Sequence, residues 1–400
     1  MKQISQIKII VLAFFLCGCS AQEKSSSLHS ELLQTIDKNF ADASAQYKLM
    51  MTKLPPNRFP KTYYAQTGSL ETSSSGWWCS GFYPGTLLLL YEQTKDQSLL
   101  DEAERILKPL EKEKNNKNTH DLGFMMYCSF GNAERIASKP EYKDVLLTSA
   151  KSLCTRFNPK VGCIKSWDSK PSDFLVIIDN MMNLELLFWA TRETGDSSFY
   201  KIAVTHANTT MKNYFRSDYS SYHVINFDPE TGAVKQKRTA QGASDESAWA
   251  RGQAWGLYGY TVCYRETKDK KYLDLADHIA QFILHHPNLP SDKIPYWDFN
   301  APDIPNALRD ASAAAIISSA LFELSGYVNG NEKEEYLSAA ETIVKNLSAP
   351  PYKADVGTNG GFVLQHCVGN MPEKTEIDVP LTYADYYFVE AMKRCKELKH

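Results

Sequence analysis

Met181-Met-Asn-Leu-Glu-Leu-Leu-Phe-Trp-Ala-Thr-Arg-Glu-Thr194-Gly195-Asp196-Ser-Ser-Phe-Tyr-Lys-Ile-Ala-Val-Thr-His-Ala-Asn-Thr-Thr-Met211 reads as an apolar helix, a sharp turn and a second helix in unbroken succession. The turn is of the type Thr-(Lys/Gly)-Asp, and the helix after it is rich in Ala. Leu87 to Lys108 turns in the same way at Thr94-Lys95-Asp96, and Ala254 to Leu284 at Thr267-Lys268-Asp269. Looser copies surround Ser138 to Pro140 and Gly326 to Asn331, and a terminal helix runs from Leu381 to about Leu398. A recurring helical hairpin marks a repeat architecture. The six units predict an all-α fold, a closed double ring with the more apolar first helix of each pair inside; an open solenoid is the alternative.

The loops favour the closed ring. The long irregular, aromatic stretches all precede a first helix: Thr62 to Trp78, Val161 to Phe174, Tyr222 to Ala248, Pro287 to Arg309 and Asn359 to Pro380. They are therefore expected to gather at one mouth, where binding residues concentrate. Alternation within Ser221 to Phe227 and Val161 to Trp167 predicts short β-hairpin strands there.

The chain's 400 residues, 43% hydrophobic and 23% charged with a formal net charge of -3, suit one large core. Basic and acidic residues are interleaved, so the sequence carries no nucleic-acid footprint. The start differs in character: Lys2 and Lys8 stand before an apolar run, Ile9 to Leu16, followed by Cys17-Gly18-Cys19. This is a secretion signal, too short to span a bilayer. Leu16-Cys17-Gly18-Cys19 is similar to a bacterial lipobox, which makes Cys19 the expected lipidated residue. Residues 1–19 are thus read as leader, 20–30 as tether and 31–400 as a single catalytic domain, exported and lipid-anchored in the periplasm, on the outer membrane of a Gram-negative bacterium. Plain cleavage to a soluble periplasmic protein is the alternative. Seven further cysteines, an odd number with no CxxC spacing, indicate neither a disulfide framework nor a zinc site; most are expected as buried thiols.

About seventeen residues before each turn, where a side chain at the start of an inner helix reaches the mouth, stand Trp78, Asp121, Asp179 and Arg251. Asp179 sits in the apolar run Phe174-Leu-Val-Ile-Ile-Asp179-Asn-Met-Met-Asn-Leu184, where a lone carboxylate is costly to bury. Helix capping is the bland explanation for either aspartate alone. For two that begin successive inner helices, a facing pair is the sharper one, and apolar surroundings are expected to push their proton affinities apart. Trp77, Trp78, Trp167, Trp249, Trp255 and Trp297 fall in or beside the mouth loops as platforms for sugar rings, with Trp189 assigned to the core. Gln241, His223 and Arg251 are candidate donors, Arg251 for bidentate contact with a carboxylate. Arg309 and Asp310, with Tyr383 and Asp385, sit comparably in the last two units, an Arg309–Asp310 ion pair being the bland reading of the first two.

Five segments in order, Trp78-Cys-Ser-Gly-Phe-Tyr-Pro-Gly85, His120-Asp-Leu-Gly-Phe-Met125, Ile177-Ile-Asp-Asn-Met-Met-Asn-Leu184, Gln241 to Gly256 and Arg309-Asp-Ala-Ser-Ala-Ala-Ala315, resemble the unsaturated glucuronyl hydrolases of glycoside hydrolase family 88. The resemblance implies an (α/α)6 barrel that removes the 4,5-unsaturated uronic acid from small anionic oligosaccharides left by polysaccharide lyases. It implies Asp179 as general acid/base and Asp121 as partner carboxylate, with Trp78, His120, His223, Gln241, Trp249 and Arg251 holding the sugar. No metal or organic cofactor is implied, and a monomer or weak homodimer is expected. Asn180 stands where many relatives carry glycine, and Leu364 to Lys374 departs from relatives that grip sulfate. A rhamnogalacturonyl hydrolase acting on pectin fragments and a non-catalytic glycan-binding lipoprotein are the competing readings.

Overall fold

The computed structural model describes residues 30–398, so the expected leader, Cys19 and nearly all of the tether lie outside the described residues. The chain opens with α1 (residues 30–53). Strands β1 (Phe59–Tyr64) and β2 (Ser69–Ser73) lead to α2 (Phe82–Thr94) and α3 (Gln97–Leu110). A π-helix (Gly123–Gly131) runs into α4 (Asn132–Ala137) and is paired with α5 (Pro140–Cys154). Strands β3 (Phe157–Asn158), β4 (Cys163–Ile164) and β5 (Phe174–Ile177) precede a 3-10 turn (Ile178–Asn183), α6 (Leu184–Thr194) and α7 (Ser197–Tyr214). Next come β6 (Val224–Phe227), β7 (Val234–Arg238), α8 (Ala250–Thr267), α9 (Lys270–His285), α10 (Ala311–Leu324) and α11 (Gly330–Leu347). Strands β8 (Cys367–Asn370) and β9 (Thr375–Val379) and the closing helix α12 (Thr382–Glu397) complete the chain.

The three expected turns at 94–96, 194–196 and 267–269 are present, and their chemistry is visible in atomic detail. Lys95, Gly195 and Lys268 have φ of 58°, 73° and 57°. Asp96, Asp196 and Asp269 accept from the backbone N–H two residues on, at 3.1, 2.8 and 3.2 Å. The hydroxyls of Thr94, Thr194 and Thr267 donate to the carbonyl four residues back, at 2.8, 2.7 and 2.7 Å. Each triplet therefore satisfies the loose backbone groups of two helix ends.

The inner helices touch in cyclic order, α2 to the π-helix, α6, α8, α10 and α12, and α12 returns to α2. The ring is closed, an (α/α)6 barrel. Burial separates the layers: every residue of α10 except Glu323 is buried, whereas α11 buries only one stripe. The terminal helix, expected alone, has an outer partner in α1, which the sequence reading did not find. Tyr47 on α1 reaches Asp385 on α12 at 3.3 Å and stacks on Tyr83 at 5.8 Å.

All four small sheets, β1-β2, β3-β4, β5-β6-β7 and β8-β9, lie on segments that precede inner helices, so they form the mouth. The strands expected within 161–167 and 221–227 are β4 and β6. The π-helix departs from an ordinary helix. A side chain at Gly81 would meet the carbonyls of Phe124 and Met125 at 2.3 Å, and one at Gly85 the Cys128 carbonyl at 2.4 Å. Two glycines one turn apart, Gly81 capping α2 and Gly85 in its first turn, thus let the widened helix lie against them.

Asp385, fully buried, fastens this closure: it accepts from the backbone N–H of Val363 and Leu364 at 3.0 and 2.9 Å. Asp385→Ala leaves both N–H groups buried without an acceptor. The expected loss is about 2–4 kcal/mol of stability, read by denaturant unfolding; a loss within experimental error overturns the assignment of Asp385 as a closure clamp.

Candidate active site

Asp179 lies in the 3-10 turn that enters α6, and Asp121 just before the π-helix. Neither is a helix cap, since both helix starts lack a side-chain cap bond. The Thr119 hydroxyl donates to Asp121 Oδ2 at 3.4 Å, and His120 Nε2 stands 3.2 Å from Asp121 Oδ1. Asp179 Oδ2 is buried without a hydrogen-bond partner, 3.6 Å from His223 Nε2. The two carboxylates share one mouth, close enough for the charge of Asp121 to act on Asp179.

Burial raises both carboxyl groups to about 7. This corrects the expectation that the apolar setting would drive their proton affinities apart, because desolvation pushes the two the same way. What differs is the company. At Asp179 burial is opposed by the Arg251 charge and reinforced by Asp121. At Asp121 it is opposed by the Asn183 and Thr119 side chains and by Arg156.

The histidines are neutral. His223 Nδ1 accepts from the backbone N–H of Ala240 and Gln241 at 3.2 and 3.3 Å, so its ring proton sits on Nε2, toward Asp179. Burial, with the charge of Arg251, lowers its pKa to about 3. Trp249 lies against the ring at 4.4 Å, and Trp167 meets it edge-on at 6.1 Å. Burial likewise lowers His120 to about 3, so its approach to Asp121 is a neutral contact rather than an ion pair.

Arg251 is 2% exposed. Its Nη1 donates to the Val368 carbonyl at 2.6 Å and its Nη2 to the Gly369 carbonyl at 2.6 Å. Nη1 also pairs with Asp310 at 3.3 Å, and the guanidinium lies 4.5 Å from the Trp249 ring. The expected Arg309–Asp310 pair does not form: Arg309 pairs with Asp292, while Asp310 caps α10 and holds Arg251. Gln241 Nε2 donates to the Gly369 carbonyl at 2.9 Å, so the β8-β9 hairpin is bound to the site from two sides. Trp78 packs against Phe124 and Tyr383 at 5.4 and 5.0 Å. Trp255, expected beside the mouth, is fully buried beneath it, and Trp297 belongs to a small cluster with Ala301 and Val368.

The sequence profile described as Glycosyl Hydrolase Family 88 matches residues 51–397. The chain belongs to glycosyl hydrolase family 88. It is 45% identical over 403 residues to an unsaturated glucuronyl hydrolase of Formosa agariphila, covering 99% of each chain. An unsaturated glucuronyl hydrolase specific for heparin superposes with a TM-score of 0.88 at 48% identity, over 91% of this chain and 97% of that one. A Streptococcus agalactiae unsaturated glucuronyl hydrolase variant complexed with dGlcA-GalNAc6S superposes with a TM-score of 0.78 at 29% identity, over 90% of each chain.

In this family 88 enzyme the eight candidate residues occupy one end of the barrel, held by segments that precede inner helices or by the first turns of those helices. Three contributors escaped the sequence reading. The Val368 and Gly369 carbonyls carry no side-chain signal, and Glu376, whose charge acts on Arg251, comes from an unremarkable polar strand. Asn183 was legible in principle, as an amide in an apolar run four residues after Asp179. Cys154 and Cys163 are free thiols, like the other described cysteines. Because Asp310 is fully buried, Arg251→Ala strands a carboxylate. It is expected to cost about 3–5 kcal/mol in chemical denaturation as well as activity, and unchanged stability overturns the pairing.

Proposed function

We propose that this enzyme removes the non-reducing-end 4,5-unsaturated uronic acid from lyase-generated oligosaccharides, glycosaminoglycan disaccharides in particular, by hydrating the vinyl ether. The observation that carries this reading is the buried carboxyl pair, both members raised to about 7, with Asp179 Oδ2 unpartnered at the mouth. A carboxyl group in that range holds a proton at neutral pH and can give it up. Asp179 is the acid. Its proton goes to C4, the double-bond electrons form the new C–H bond, and positive charge develops at C5 and the ring oxygen. Asp121, ionised, stabilises that charge. The Asp179 carboxylate then takes a proton from water as the water oxygen bonds to C5. The resulting hemiketal opens to a C5 ketone, and the hemiacetal left at C1 expels the remaining sugar.

Neutral His120 and His223 suit this chemistry because neither adds a cation that would oppose the developing charge. Trp78, which stays partly exposed, offers a ring for the sugar; buried Trp249 packs against His223 and Arg251, and Gln241 and Arg251 hold the β8-β9 hairpin at the mouth. The separation rule that links paired carboxylates to retention or inversion has no bearing, since C1 is not the centre attacked. For the cell, the charged start, apolar run and Cys19 support export and a lipid anchor at the outer membrane.

Turnover in heavy water is expected to place deuterium at C4 of the product, read by mass spectrometry or proton NMR; an unlabelled C4 means displacement at C1 and ends the hydration reading. Asp179→Asn is expected to lower kcat by at least about a thousandfold while disaccharide binding persists, and near-normal turnover removes Asp179 as the acid. The rate should fall in acid as Asp121 gains a proton and in alkali as Asp179 loses one. With both groups raised to about 7, a bell of kcat/KM around neutrality is expected, its limbs belonging to the coupled pair; a rate flat across neutral pH contradicts it.

A further inference from the structure

His223 keeps its ring proton on Nε2, toward Asp179, because two backbone N–H groups point at Nδ1. Those groups belong to Ala240 and Gln241, in the segment 239–247 between β7 and α8. That segment is neither helix nor strand, so its position has to come from elsewhere.

The anchor is Asp298, fully buried. Its Oδ2 accepts from the backbone N–H of Ala243 at 2.8 Å and from the Ser247 hydroxyl at 2.7 Å, and its Oδ1 accepts from the backbone N–H of Asn300 at 2.8 Å. These donors are neutral, and a buried carboxylate is costly unless such bonds are made to it. Gly242 permits the approach: a side chain there would stand 2.7 Å from the Thr239 hydroxyl oxygen and 3.0 Å from Asp298 Oδ2. Thr239 Oγ1 accepts from the Gly242 N–H at 2.8 Å, so Ala240 and Gln241 lie inside a closed turn whose next residue is tied to Asp298.

Asp298 is itself fixed. The Ala250 N–H donates to the Trp297 carbonyl at 3.1 Å and the Phe299 N–H to the Ala248 carbonyl at 2.9 Å, on either side of a bridge between Trp249 and Asp298. Trp249 lies against the His223 ring at 4.4 Å. The imidazole is therefore held at its edge by the loop and at its face by the indole, and both rest on residues 297–299.

We propose that Asp298 is a positioning residue for the acid: by fastening the 239–247 loop it keeps His223 in the tautomer that presents Nε2–H to Asp179. The proposal rests on the hydration reading and deepens it. When Asp179 gives its proton to C4, the new charge on Oδ2 faces an N–H at His223; in the other tautomer it would face a lone pair. Asp298 acts through the loop and the imidazole.

Asp298→Asn keeps the shape but has one acceptor oxygen, so the N–H of either Ala243 or Asn300 meets an NH2 group instead. Gly242→Ala leaves Asp298 intact and crowds the loop away from it. The tautomer is read by NMR from the ring nitrogens of nitrogen-15 histidine-labelled protein at neutral pH, with His223 assigned by the signals missing in His223→Gln. Wild type is expected to show a protonated Nε2 and a bare Nδ1. In both variants that single pattern is expected to give way to a mixture of tautomers, with kcat on an unsaturated disaccharide lowered about tenfold. A variant that loses rate or melting temperature while His223 keeps its pattern makes Asp298 structural only, and the proposal fails. It fails equally if the pattern changes at an unaltered rate, or if wild type carries the proton on Nδ1. Should Asp298→Asn not fold, Gly242→Ala decides. The tautomer does not depend on the route of the reaction: a product unlabelled at C4 in heavy water removes the hydration reading and leaves the hold of Asp298 on His223 standing.

Discussion

The cost of holding charge in a dry pocket organises the site. Taking a carboxylate out of water disfavours its ionised form, and at Asp121 and Asp179 this is the first cause of the rise to about 7. Everything around the pair limits how much further charge is buried with it. His120 and His223 are kept neutral by the same desolvation, and the His223 tautomer is fixed by two backbone N–H groups. The buried cation Arg251 is neutralised by Asp310 and gripped by two carbonyls. Its field still reaches Asp179 and holds the rise in check.

The scaffold makes that arrangement affordable by separating its two ends. At one end the Thr-(Lys/Gly)-Asp turns satisfy helix termini within four or five residues and leave nothing over for chemistry. At the other, long segments carry the strands that aim Trp78, Asp179 and Trp249 inward, while Asp121 follows a 3-10 turn (Glu111–Asn115). Closure of the inner ring, with α12 returning to α2, then fixes the mouth as a rigid rim. The acids therefore sit on the starts of packed helices, where their positions are set by the core rather than by loop motion.

What could be read from the sequence was local. The hairpin turns follow from glycine, capping and hydroxyl chemistry within a few residues, and Asp179 stands out because it interrupts an apolar run. What could not be read depends on distant partners. The pairing of α1 with the far end of the chain rests on contacts such as Asn39 with Ser348 at 2.7 Å and Tyr47 with Asp385 at 3.3 Å, which no local pattern announces. Arg309 and Asp310 are neighbours in sequence but point apart, since Arg309 lies in an extended bridge to Tyr296 while Asp310 begins a helix. Adjacent opposite charges are a poor guide to pairing wherever the backbone changes conformation between them. The shared direction of the two carboxyl shifts was also beyond reach, because burial is a property of the closed ring.

The barrel holds a second cavity, about 320 Å³, toward the opposite end of the inner ring, and comparing it with the mouth shows why volume alone does not locate chemistry. Its charged lining is already matched: Arg135 pairs with Glu92, Glu185 with Arg265 and Arg394 with Glu323. A ligand entering there would have to break ion pairs to make new ones. At the mouth the reverse holds, for Asp179 Oδ2, His223 Nε2, Trp255 Nε1 and the Tyr383 hydroxyl are all buried and unpartnered. Buried polar groups without partners are rare in folded proteins because each costs free energy. Several gathered at one end of the barrel amount to a surface that a polar substrate improves by binding, and that difference in hydrogen-bond satisfaction distinguishes the reactive end of the barrel from the opposite one.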